Sequence, residues 1–84
     1  MDYKKSLEYF FEASKYYQYY QLNYNIALCY IKTEQWENAV FYLEACTKKE
    51  KNFFFAYYNL IKIFLKKNNI NDAYLIYRDF SDVL

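Results

Sequence analysis

The side chains best suited to chemistry in this sequence are two cysteines, Cys29 and Cys46, and two carboxylate pairs, Glu8/Glu12 and Asp79/Asp82. A thiolate nucleophile needs a base, and histidine, the commonest base and metal ligand, is absent. A disulfide or a zinc site would need an oxidising compartment or further ligands, and the sequence supplies neither. The carboxylate pairs stand at the i,i+4 and i,i+3 spacings of a helix surface. Lys5, Lys15 and Arg78 share those stretches. They read as solvated faces with compensating charges, not as a general acid and base. Glycine is also absent, so no glycine-rich loop exists to cradle a phosphate. The expectation is a protein that is not an enzyme, with no catalytic residue, cofactor or metal.

The elements that would position any site are helical. The chain has neither Gly nor Pro, and sheets with tight hairpins usually need Gly at positive-φ turn positions. Apolar residues recur at i, i+3, i+4 and i+7 in five stretches. Tyr3 to about Gln18 carries Leu7, Phe10, Phe11, Ser14 and Tyr17 on one stripe. About Leu22 to Lys32 carries Ile26, Ala27, Tyr30 and Ile31. About Trp36 to Lys48 carries Trp36, Ala39, Val40, Leu43 and Cys46. About Phe54 to Lys67 carries Tyr57, Leu60, Ile61, Phe64 and Leu65, with Asn52 as its cap. About Ile70 to Phe80 carries Ala73, Ile76, Tyr77 and Phe80. Asn68 suits a left-handed C-cap, and Asn69 suits the N-cap of the last helix. The short links predict antiparallel neighbours.

Length and composition bound the rest. At 84 residues the chain suits one small domain, which buries only about 60% of its unfolded surface. Thirteen Tyr, eight Phe and one Trp offer large rings to offset that shortage. Eleven basic residues against ten acidic ones give a net charge of +1, which argues against a dedicated nucleic-acid binder. The Lys4–Lys5, Lys48–Lys49 and Lys66–Lys67 pairs read as solvated helix ends. No apolar run approaches the ~18–20 residues that span a bilayer. Asp2, Lys4, Lys5 and Glu8 interrupt any signal-peptide core. A reducing, cytoplasmic setting without membrane insertion is expected.

The stretch from Asn23 to Leu43 repeats. At one constant offset Asn25 falls on Asn59, Ile26 on Leu60, Tyr30 on Phe64, Trp36 on Ile70, Ala39 on Ala73 and Leu43 on Tyr77. One helix–turn–helix per repeat of this length resembles the tetratricopeptide repeat. The family's large, small and aromatic places hold Asn23, Ile26, Ala27, Tyr30, Trp36, Ala39, Leu43 and Cys46 in one unit. In the next they hold Tyr57, Leu60, Ile61, Phe64, Ile70, Ala73, Tyr77 and Phe80. Ser6, Phe10 and Ala13 resemble the second half of an earlier unit. The chain departs from the family at Ile61 and Phe80, which replace small residues. It departs again at Glu34 and Asn68, which replace the turn glycine, and at Lys51, which replaces a proline.

The resemblance implies an all-α fold of antiparallel helical hairpins stacked as an α-solenoid. Residues 3–18 would be a half repeat, and 20–53 and 54–84 full repeats. Cys29 and Cys46 then fall on facing helices, where small buried residues belong. The last helix carries Tyr74, Leu75, Ile76, Tyr77 and Phe80 without a polar cap. That implies a longer array, ends covered by a partner, or self-association through exposed end helices. In this family the first helix of each unit lines a concave, partner-binding face. The residues so implied are Gln21, Tyr24, Asn25, Leu28 and Lys32, then Phe55, Tyr58, Asn59, Lys62 and Lys66. The function implied is a scaffold that binds a peptide or helix of a partner protein. Chaperone-tail binding is not expected, because Phe55 and Asn59 stand where that subtype needs a basic pair.

Overall fold

In the computed structural model, which describes all 84 residues, five helices follow one another. They are α1 (Tyr3–Ser14), α2 (Tyr20–Lys32), α3 (Trp36–Lys49), α4 (Phe54–Lys66) and α5 (Ile70–Val83). The protein is all-α, with no strand.

The two short turns, at 33–35 and 67–69, have the same construction. Glu34 and Asn68 both take φ of 58°, and no other residue has a positive φ. Gln35 N–H donates to Tyr30 O at 2.9 Å, and Asn69 N–H donates to Phe64 O at 2.7 Å. Glu34 N–H donates to Ile31 O and Asn68 N–H to Leu65 O, each at 3.0 Å. These paired bonds make Schellman motifs, which satisfy the last carbonyls of α2 and α4. Each turn then starts the next helix, through Ala39 N–H to Gln35 O and Ala73 N–H to Asn69 O. Every one of these bonds in the second turn follows its counterpart at the offset that carries Asn25 onto Asn59. Asn68 tolerates the left-handed conformation, whereas Glu34 holds it at a cost of about 1 kcal/mol. As expected, Asn69 caps α5, its Oδ1 accepting from Asp72 N–H at 3.4 Å.

Several boundaries differ from the sequence-based expectation. Helix α1 stops at Ser14, not Gln18. The ladder tightens there, with Lys15 N–H bonding Glu12 O and Tyr16 N–H bonding Ala13 O. The Gln18 carbonyl is instead taken by Lys49 Nζ at 3.0 Å, which ties this link to the end of α3. Asn52 is not the cap of α4. Phe53 occupies the cap position without a side-chain bond. Glu50 closes the bend, accepting from Phe53 N–H on its carbonyl and from Asn52 N–H on its carboxylate, each at 3.2 Å. Helix α5 runs to Val83, past Phe80, because nothing in "SDV" breaks it.

Consecutive helices pack against one another along the chain, α2 with α3 most extensively. The Cα atoms extend over 33 × 24 × 15 Å. The thinnest dimension fits two helices packed at roughly 8–10 Å. The core gathers Ala27, Ala39, Leu43, Cys46, Ala56, Leu60 and Ile63 from α2, α3 and α4. Three of these are alanines with no exposed surface, one on each helix, so the backbones approach closely there. A larger residue at any of the three would force the helices apart, at about 1–3 kcal/mol. Ala56 and Ile63 belong to this core although the apolar stripe expected for α4 leaves them out. Tyr17, Leu65 and Tyr77, expected inward, are exposed. Tyr17 lies beyond the end of α1, and Leu65 and Tyr77 lie on sides of α4 and α5 that no helix covers. Helix α1 has no fully buried residue, and α5 buries only Ala73.

Candidate functional site

Cys29 and Cys46 are buried and free. Burial raises both thiols above their ordinary value, Cys46 to about 12 despite the opposing charge of Lys49. The Cys46 thiol donates to Tyr20 O at 3.2 Å, so it serves as a small packing group with one hydrogen bond. Burial likewise raises Tyr30 and Tyr57, helped by Tyr42 and Cys29 around the first and by Asp79 near the second. Glu12 pairs with Lys15 at 3.0 Å and Asp79 with Arg78 at 4.0 Å, all well exposed. No group of three His, Cys, Asp or Glu could hold a metal ion. No buried side-chain nitrogen or oxygen lacks a partner. No helix is long and apolar enough to cross a membrane.

What the helices do build is surface. Helix α4 packs on α3, and side chains of α4 and its cap reach across to α2. The Phe53 ring meets Tyr20 at 4.9 Å and Tyr24, edge on, at 4.8 Å between centroids. Asn59 Nδ2 donates to Tyr24 Oη and to Phe55 O, both at 3.0 Å. Tyr24 and Asn59, both expected as ligand-binding residues, thus join α2 to α4 by a hydrogen bond. Their neighbours Asn25 and Leu28 are half-buried, while Gln21, Lys32, Phe55, Tyr58, Lys62 and Lys66 are exposed.

Two lysines on α4 lie over rings. Lys62 Nζ sits 5.0 Å from the centre of Tyr58, and Lys66 Nζ sits 5.5 Å from that of Trp36. Such contacts hold a cation at about 0.5–1 kcal/mol when exposed. Neither lysine has a carboxylate within salt-bridge distance, and nor does Lys32. A cleft of about 190 Å³ lies between α4 and the α2–α3 turn, lined by Ile31, Trp36, Asn59, Lys62, Ile63 and Lys66. Trp36 and Ile31 belong to this cleft, whereas the sequence marks them only as core. Their apolar character points to burial, and only the way α4 packs beside the α2–α3 turn leaves an edge of each open.

A larger, almost wholly apolar cleft of about 560 Å³ lies on the far side of α4, where it meets α5. Phe55 and Tyr58 reach it from the α4 side and Tyr77 and Phe80 from α5. Phe80 packs edge on against Phe54 at 5.2 Å and beside Tyr57 at 5.7 Å. The expected face and the uncapped end therefore meet along one aromatic edge. Comparison with protein-family models, with curated proteins and with solved structures gives no match.

Proposed function

We propose that this chain is a protein-interaction scaffold of the tetratricopeptide-repeat kind, an α-solenoid of two and a half repeats. It would bind a peptide or helix of a partner protein on the face formed by α2 and α4. One observation supports the repeat above all others: the two turns share φ of 58° and one set of hydrogen bonds, displaced by one repeat length. Ile26 and Leu60, Cys29 and Ile63, and Ala39 and Ala73 are buried in the same register. Exposed rings beside unpaired lysines support a partner with carboxylates along an extended or helical segment. The buried thiols and paired carboxylates leave binding as the better-supported role. The cytoplasm is the proposed setting.

The test is selection of peptides from a displayed random library on the native chain. Acidic peptides should be recovered. Their affinity should fall at least tenfold in the Lys32→Glu/Lys62→Glu/Lys66→Glu variant, whose changes all lie on exposed side chains. Selection of peptides that bind native and variant chains equally would count against the face. Self-association is the second reading, favoured by the exposed Phe54, Tyr58, Leu65 and Ile70. A mass by sedimentation that stays monomeric across a hundredfold range of concentration would exclude it.

A further inference from the structure

The apolar cleft at the α4–α5 edge is a copy of a surface that the same molecule already fills. Six of its lining residues are Phe54, Tyr57, Tyr58, Ile61, Tyr77 and Phe80. One repeat length earlier stand Tyr20, Asn23, Tyr24, Ala27, Leu43 and Cys46. Helix α4 and its cap cover that earlier set. Phe53 lies on Tyr20 and Tyr24, and Asn59 bonds the Tyr24 hydroxyl. Ala56, Leu60 and Ile63 close over Ala27, Leu43 and Cys46 in one cluster. The three buried floor residues have no exposed surface, while Tyr58 and Tyr77 in the copy are 59% and 57% exposed.

We infer that this cleft is a docking site for an amphipathic helix of a partner protein, seated on the α4–α5 hairpin as α4 is seated on the α2–α3 hairpin. The internal interface specifies the occupant. Its inner face carries an aromatic residue, a small residue three positions on, a second apolar residue four further and an aliphatic residue three beyond that, as Phe53, Ala56, Leu60 and Ile63 do. The floor of the copy is bulkier, with Ile61 in the place of Ala27 and Phe80 in that of Cys46. The occupant's second apolar position therefore takes Ala rather than Leu. Lys62, which rests over Tyr58 at the rim and has no ion-pair partner, selects a Glu or Asp on the occupant's adjacent flank. The inference uses the repeat register of the fold and does not need a ligand on the α2–α4 face.

The probe is a synthetic peptide of residues 50–67 with Leu60→Ala, carrying a photoreactive phenylalanine at position 53 and a fluorophore at its N-terminus. Titrated with the full chain, it should bind saturably and cross-link to the segments 52–61 and 77–80. The Tyr58→Ala/Tyr77→Ala variant changes only exposed side chains. It should keep its helical circular dichroism and bind the peptide at least tenfold more weakly. The Lys32→Glu variant, altered on the other face, should bind as the native chain does. A scrambled peptide that binds equally well, cross-links confined to α1–α3, or affinity unchanged in the double-tyrosine variant would overturn the inference. A native chain that dimerises through this edge, with the dimer lost in that variant, would assign the cleft to a second copy and overturn it too.

Discussion

The hairpins α2–α3 and α4–α5 share a turn but not an environment. Their backbones reverse through the same Schellman motif, and each buries a corresponding alanine, Ala39 or Ala73. Past the turn they diverge. Leu43 has no exposed surface, while its counterpart Tyr77 is 57% exposed. Cys46 is enclosed, and its counterpart Phe80 is only half-buried. The first hairpin is flanked by α1 on one side and by α4 on the other, whereas only α3 flanks the second. The local turn follows from the residues within it. Burial follows from whether another helix arrives, so equivalent positions carry unequal shares of the stability.

That inequality gives the largest expected effect. Leu43→Ala should cost about 2–5 kcal/mol by leaving a cavity in the shared core, whereas the exposed Tyr77→Ala should cost about 0.5 kcal/mol or less. Urea unfolding of the two variants measures both. Equal losses would break the contrast between the hairpins.

The tie between α2 and α4 comes next. Tyr24→Phe removes the acceptor of the Asn59 amide and should cost about 1 kcal/mol, while Tyr58→Phe, its counterpart on the open edge, should be neutral. The same unfolding assay compares them. The turns offer a smaller and opposite effect. Glu34→Gly should stabilise by about 0.5–1 kcal/mol, because glycine accepts positive φ without strain. Asn68→Gly should gain less, since Asn already tolerates that region.

The smallest effect is in pH. Burial holds the Cys46 thiol neutral and raises it to about 12, above the ordinary 9.0 of an unfolded thiol. A raised folded value means the contribution is complete below pH 9 and is lost as pH climbs from there toward 12. Cys29, Tyr30 and Tyr57, also raised by burial, act in the same direction. Melting temperature should therefore decline above pH 9, and less steeply in Cys46→Ala once its own stability at neutral pH is subtracted.

Much of this is legible in the residues, and the failures have physical causes. The "KTEQ" and "KKNN" breaks, the Asn69 cap, and the burial of Ala27, Ala39, Leu43 and Cys46 follow from spacing and residue type. Helix α4 is harder, because Phe54, Phe55, Tyr58, Ile61 and Leu65 make it apolar on nearly every side. Periodicity cannot choose an inner face on such a helix. The packing of α3 and α2 decides it, and Ala56 and Ile63 go in while Leu65 stays out. Tyr24 and Asn59 are expected from the repeat resemblance on a binding face, and each bonds the other. A hydrogen bond between positions so far apart in the chain leaves no trace in local pattern. Phe53 lies outside every predicted stripe, since it precedes its helix and acts through its ring alone.

Proton–proton contacts in solution test the central claim most directly, because the account makes one aromatic edge filled and its copy open within a single chain. A nuclear Overhauser spectrum of the native protein should show the Phe53 ring against both Tyr20 and Tyr24, and the Asn59 side-chain amide against Tyr24. It should show no long-range contact from Tyr58 or Tyr77 to any helix other than α4 and α5. A free Phe53 ring, or a Tyr77 ring packed under α1, α2 or α3, would contradict the account.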